Sequence, residues 1–348
     1  MSLLAVPVVL PLLGAGICLL LIGSLRLQRL VAVAITIAAL VAAIALLVEV
    51  EADGVTALDA GGWPAPVGIT LVADLTAAMF LVVSLAVIVC VQLFAIGQGA
   101  DTGRPRIAHP VYLVLAAGVS LSVLTGDLFN LFVGFEVMLI ASYVLLTLGA
   151  GAAQIRTGMT YVVINVLASS FFLVAIALVY AATGTVNLAD LATKFTALPE
   201  STQTVLGLLL LAVFATKAAV FPFFFWLPDS YPTAPVSVTA VFAGLLTKVG
   251  VYTMIRTVTI LDLEQLTGLL VAAAGVTMVL GVIGAIAQDD IKRILSFHII
   301  SQVGYMVMGL AFYTVAGLAG AVLYVVHHIP VKTVLFLVGG LVETTTGT

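Results

Sequence analysis

Apolar residues in this chain come in long, nearly uninterrupted runs, not in the alternation of a half-buried strand. Eleven runs can be drawn, over residues 3–23, 30–50, 69–97, 108–125, 128–149, 157–182, 203–226, 236–257, 265–287, 293–313 and 316–341. A hydrocarbon core of ~30 Å needs about 20 apolar residues in helical form, and most of the runs supply that. The third is long enough to tilt strongly or to reach past the bilayer. Only short polar stretches separate the runs, so no soluble domain fits between them. The pattern predicts an all-α polytopic membrane protein of about eleven transmembrane helices.

Composition supports this reading. The chain of 348 residues is 63% hydrophobic and 8% charged, whereas a soluble domain carries about 25% charge. The first run has no basic stretch before it and no small-residue cleavage site after it, so it reads as an uncleaved helix. Cys18 and Cys90 both fall within runs, which excludes a disulfide framework. The net charge of -4 says little, because placement of the charges matters more.

Basic residues set the expected orientation. Loops on one side carry Arg26, Arg29, Arg104, Arg106, Arg156, Lys292 and Arg293; those on the other carry only Lys194 and Arg256. The first side is expected to be cytoplasmic, with the N-terminus outside. Glu51, Asp53, Asp59, Asp190, Glu200, Asp262 and Glu264 collect on the outer side.

Four ionisable residues lie inside the runs: Glu136, Lys217, Lys248 and Lys332. Even lenient scales put a charge at the bilayer centre at about 2.5–3.5 kcal/mol. Four such residues of both signs suggest an ion or proton path. Glu136 sits about eight residues into its run, roughly 12 Å deep at ~1.5 Å per residue. Its plain alternative is interhelical glue, which Ser or Asn would provide at lower cost. Lys217 is followed five residues later by Pro222, which kinks or breaks a helix. A broken helix beside an ionisable group is a recurrent transporter device, although a lysine near a helix end can also snorkel. Gly244 and Gly250 flank Lys248 and permit close helix packing. Unlike an arginine, a buried lysine can lose its proton.

Tyr324, His328 and Lys332 are spaced i, i+4, i+8 and form one helical stripe. His327 points about 100° away from His328, and no third ligand of metal-site spacing is visible. A proton relay is the better reading, with the choice between the two histidines left open. Pro330 is expected to bend this helix. His298, Ser301, Gln302 and Tyr305 line one polar face of the tenth run, and Asn165 and Ser169 stand at i, i+4 in the sixth. Core hydrogen bonding accounts for each, and together they offer sites for water chains. Pro228, Pro232 and Pro235 predict a stiff, non-helical connection in which Asp229 is either a pathway mouth or an interface residue. Nothing points to a cofactor, a metal or nucleic acid.

These residues bring the chain close to a known family. It resembles the antiporter-like membrane subunits shared by Mrp-type multisubunit cation/proton antiporters, respiratory complex I and membrane-bound hydrogenases, and most of all the Mrp D subunits. The resemblance rests on the stretches 128–149, 216–252, 288–306 and 327–340, above all on Leu-Pro-Asp-Ser-Tyr-Pro-Thr-Ala-Pro at 227–235. It implies fourteen helices, with helices 4–8 and 9–13 forming inverted five-helix repeats and helices 7 and 12 broken. On that map residues 1–107 hold helices 1–3, residues 108–260 the first repeat, and residues 261–348 part of the second. The sequence stops before helix 12, and its last residues read as the start of a loop.

The resemblance further implies that Glu136 pairs with Lys217, that Lys248 passes the proton on, and that His328 and Lys332 continue the relay. It implies other membrane subunits as partners, protons and a monovalent cation such as sodium as cargo, and a bacterial plasma membrane location. A redox-driven proton-pumping subunit and a non-transporting scaffold subunit are the rival readings.

Overall fold

The computed structural model describes residues 2–99, 106–149 and 151–346. Arg104, counted above among the cytoplasmic loops, lies outside the described residues. Among the described residues, ten helices are long and apolar enough to cross a membrane, and an eleventh apolar helix covers Ala108–Leu124. The chain divides into two compact units, Met1–Ile155 and Arg156–Thr348.

The first unit holds α1 (Val6–Leu20), α2 (Leu25–Asp53), α3 (Leu75–Gly97), α4 (Ala108–Leu124) and α5 (Leu128–Thr147). Short polar side chains start several of these helices. Ser24, Asp74 and Asp127 accept hydrogen bonds from Leu27 N, Ala77 N and Asn130 N, satisfying donors that a first helical turn leaves open. Burial pushes the Asp127 carboxyl above its ordinary pKa, against the backbone hydrogen bonds that lower it.

The third apolar run is not one long helix. Its first residues form a strand, β2 (Thr70–Ala73), which pairs antiparallel with β1 (Thr56–Asp59). Asp74 then caps α3 at Leu75. The expectation of an over-long third helix is thus corrected, and among the described residues the fold carries one small hairpin besides its helices. A stretch of four residues is too short for periodicity to tell strand from helix.

The second unit holds most of α6 (Ala152–Thr183), then α7 (Glu200–Ala218), α8 (Val236–Ile260), α9 (Thr267–Ile286), α10 (Ile291–Ala311) and α11 (Val315–Thr346). Asn187 caps a short helix, Leu188–Lys194, between α6 and α7. The most apolar window of α8 is entirely buried, whereas that of α9 is 22% buried. In this unit α8 is the central helix, packed against α7 and α11, and it carries Lys248.

Three expectations about helix ends change. The seventh run was drawn to residue 226, but α7 stops at Ala218. Ala219 takes the left-handed conformation at φ 60. Val220 N then bonds Ala215 O at 2.9 Å, which closes the helix end. Pro222 sits beyond this end, in the break. The proline-rich connection is also partly helical: Leu227–Ser230 forms a short helix and Tyr231–Thr233 a 3-10 turn. Pro228 and Pro232 occupy first-turn positions, where no backbone donor is needed. Finally, α11 is helical through Pro330 and on through Glu343 to Thr346, so residues 343–346 are helix and not the start of a loop; Gly347 and Thr348 lie outside the described residues. Glu343 meets Lys292 at 2.7 Å, tying the end of α11 to the start of α10.

Candidate buried proton path

Lys217 lies in the last turn of α7, at the break and not mid-helix. Its carbonyl-rich helix end favours a cation. Its amine donates to Ser169 Oγ at 3.1 Å, Asn165 O at 3.2 Å and Asn165 Oδ1 at 3.5 Å. Asn165 and Ser169 therefore hold the lysine from α6, a role that their i, i+4 spacing permits but did not assign. Lys217 is only 4% exposed, so these oxygens replace the water it has lost.

The break itself is bonded on several sides. Trp226 Nε1 donates to Thr216 O at 3.1 Å, and Phe221 N donates to Thr277 Oγ1 of α9 at 2.9 Å. Tyr161, Tyr231 and Phe242 gather with Trp226 at ring separations of 5.4–6.4 Å. Open backbone at membrane depth is tolerated only where protein or water satisfies it, and these groups do that here.

Lys248 is fully buried on α8. A π-helical segment, Phe242–Leu246, precedes it, and its amine donates to Ala243 O inside that segment. Such π turns loosen the backbone ladder and recur at functional positions. The glycines flanking Lys248 act as expected. A Cβ on Gly250 would meet Ala218 N at 2.6 Å, and Gly244 lies against Thr333 of α11. So α8 approaches the Lys217 end of α7 on one side and the Lys332 turn of α11 on the other.

Lys332 is fully buried and its amine meets Nδ1 of His298 on α10. This contact between two helices had no local signal, since nothing in either segment encodes the other's register. His298 itself is exposed. Tyr324 stacks on His328 at 5.8 Å and faces Tyr305 at 6.3 Å. Of the two adjacent histidines, His328 is 2% exposed and turned inward, while His327 is exposed. Neither ring nitrogen of His328 meets a protein group among the described residues.

Other expected site residues lie apart from this cluster. Asp229 is exposed and pairs with Arg293 at 3.2 Å, a surface contact worth little. Ser301 is buried, and its backbone lies against Gly281 of α9. Glu136 is half-buried midway along α5, in the first unit.

Known proteins share this fold and sequence. Residues 125–348 match the family model described as NADH:quinone oxidoreductase/Mrp antiporter, TM. The Na(+)/H(+) antiporter D subunit of Alkalihalophilus pseudofirmus is 46% identical over 351 residues, covering 100% of this chain and 71% of that protein. The Bacillus subtilis protein of the same name is 36% identical, covering 98% of this chain and 70% of its own length. Among solved structures, a chain of the Mrp complex from Dietzia sp. DQ12-45-1b superposes with a TM-score of 0.93 at 34% identity, covering 99% of this chain. This chain spans 65% of the Dietzia chain. A chain of the membrane-bound sulfane sulfur reductase, an archaeal respiratory membrane complex, gives a TM-score of 0.91 at 32% identity, covering 98% of this chain and 72% of its own length. Fold and sequence identity agree: this chain belongs to the NADH:quinone oxidoreductase/Mrp antiporter membrane family, among the Mrp D subunits.

Proposed function

We propose that this chain moves protons through the membrane for a multisubunit Na+/H+ antiporter, along Lys217, Lys248, His328, Lys332 and His298, with Glu136 controlling the charge on Lys217. The observation that carries the proposal is the contact between buried Lys332 and His298, in a unit whose central helix also buries Lys248. A lysine at this depth is costly, and three in one unit are explained if their protons move. The pairing of Glu136 with Lys217 is supported by the family resemblance alone. His328, with two buried nitrogens that meet no protein group, is a natural site for a bridging water.

In this reading Glu136 stabilises the ammonium of Lys217. When that support is withdrawn, the proton leaves toward Lys248 and on to Lys332, and His298 links Lys332 to the far side of α10. The cargo is expected to be sodium, since the named relatives belong to Na+/H+ antiporters. The relatives support a bacterial plasma membrane, and the basic loops support an outside N-terminus. Other membrane subunits complete the complex.

The test is cation-dependent proton flux in vesicles carrying the whole complex, with Glu136→Ala, Lys217→Ala, Lys248→Ala, His298→Ala and Lys332→Ala made singly. Loss of exchange with intact assembly is expected for each. Unchanged exchange in Glu136→Ala and Lys217→Ala together would refute the switch. A redox-driven pump is the second reading, favoured by the likeness to the archaeal respiratory complex. It predicts hydrophilic redox subunits in the purified complex and no cation exchange without an electron donor.

A further inference from the structure

The proline-rich connection places a phenol against the π segment that precedes Lys248. Tyr231 is fully buried. Its ring packs on Trp226 and Phe242, each at 5.8 Å, and its carbonyl accepts from Thr239 Oγ1 at 2.8 Å. These contacts fix where the side chain points, and its hydroxyl donates to Phe242 O at 3.3 Å. The next carbonyl, Ala243 O, accepts from the Lys248 amine. Two successive carbonyls of the π segment Phe242–Leu246 thus take side-chain donors. One donor comes from the connection before α8, and the other is the lysine itself.

The π turn also sets how the two halves of α8 are rotated against each other. Before and within it, Val236 lies against Gly340 of α11 and Gly244 against Thr333. Thr333 Oγ1 also reaches Ala240 O at 3.4 Å. Beyond it, Gly250 lies against Ala218 at the end of α7. A π turn bonds i to i+5, one residue more than an α turn. Closing it into regular α-helix would rotate one half of α8 against the other by about 100°. The first half could not then keep α11 while the second keeps α7. The contact of Lys248 with Ala243 O spans the same turn, so it depends on the turn staying open.

We infer that Tyr231 is a positioning residue for Lys248: its hydroxyl, on Phe242 O, holds the π turn open, and the open turn presents Ala243 O to the Lys248 amine. The inference rests on the proton path through Lys248 proposed above, and adds to it a residue outside the line of proton carriers. A buried ammonium needs oxygen in place of the water it has lost. Here that oxygen belongs to the backbone of the lysine's own helix, and its direction is set from outside the helix. If Tyr231 only filled space, phenylalanine would serve as well, since the ring makes the aromatic contacts and the hydroxyl makes the hydrogen bond.

The test is sodium-dependent proton flux in vesicles carrying the assembled complex with Tyr231→Phe, which keeps the ring and removes only the donor. The maximal exchange rate per assembled complex is expected to fall on the order of tenfold, the effect of one hydrogen bond lost beside a charge. The sodium concentration for half-maximal exchange is expected to stay as in wild type. Replacing Tyr231 with 4-aminophenylalanine returns a donor to the same ring position and is expected to restore a large part of the rate. Unchanged exchange in Tyr231→Phe, or an equal loss in both variants, would overturn the inference. Lys248→Ala separates it from the path it rests on. Exchange that survives Lys248→Ala refutes the path itself, whereas loss in Lys248→Ala with no effect of Tyr231→Phe refutes only the role of Tyr231. Where Tyr231→Phe does not assemble, cryo-EM of the wild-type complex in nanodiscs decides. A π turn at 242–246 with the phenol on Phe242 O is expected, and a regular α turn there would overturn the inference.

Discussion

Gly250→Ala is the sharpest probe of the buried site, because it adds one methyl group between two of its helices. The new Cβ would lie 2.6 Å from Ala218 N, 2.9 Å from Lys217 C and 3.0 Å from Ala218 Cα. All three are backbone atoms at the closed end of α7, so no side chain can rotate away. Ordinary contact is about 3.5–4.0 Å, so α7 and α8 have to separate by roughly 1 Å. Overpacking of this kind costs about 1–3 kcal/mol. Replacing a helical glycine by alanine returns about 1 kcal/mol. Gly16→Ala in α1 isolates the two effects, since nothing lies within 4 Å of a Cβ there. The two variants share the helix-propensity gain and differ only in the clash. Gly250→Ala should therefore melt lower than Gly16→Ala by the full 1–3 kcal/mol, a shift of several degrees, as measured by thermal unfolding of the purified complex. Exchange should fall as well, because the displaced backbone carries Lys217 away from Ser169 and Asn165. Equal melting and wild-type exchange in Gly250→Ala would refute the close approach of α8 to the break.

Three further outcomes are expected. Thr277→Val removes the acceptor for Phe221 N and leaves a backbone donor in the break unpaired, which should cost about 1–3 kcal/mol and appear as faster hydrogen exchange at Phe221 than in wild type. Ser169→Ala removes one of the oxygens around Lys217 and should cost about 1.5–3 kcal/mol if the lysine is charged; a melting temperature equal to wild type would argue that Lys217 is held otherwise. Burial, the hydrogen bond to Asp262 at 2.7 Å and the charges of Asp262 and Glu264 hold the Tyr313 phenol above its ordinary pKa. A raised folded-state value means that this contact's stabilisation is complete below about pH 10 and is lost as pH rises beyond it. Asp262→Asn should therefore bring more tyrosinate absorbance at a given alkaline pH, and a titration superposable on wild type would count against the contact.

The membrane class, the number of apolar helices and the rarity of buried charge were legible in the sequence because each is a local property. A run of about 20 apolar residues specifies a span whatever surrounds it, and a lysine inside one is anomalous on its own. Asp74, Asp127 and Asp290 cap the helices that follow them, a signal that hydropathy runs alone do not carry, so the third helix starts six residues later than its run. Pro222 signalled a break, but hydropathy cannot see where a helix stops among apolar residues. The stop at Ala218 depends on a left-handed residue and on Trp226 and Thr277 reaching in from elsewhere. Likewise Asn165 and Ser169 were visible as a pair, yet only packing aimed them at Lys217.

His298 and Lys332 stand 34 positions apart on separate helices, and their contact depends on how α10 and α11 are rotated against each other. The inward turn of His328 and the outward turn of His327 depend on the same packing. The sequence by itself determined that costly charges are present and which spans hold them, since burial in lipid is priced residue by residue. Only the tertiary structure decided which of those charges meet, since side-chain contacts between helices depend on register and rotation that no single helix encodes.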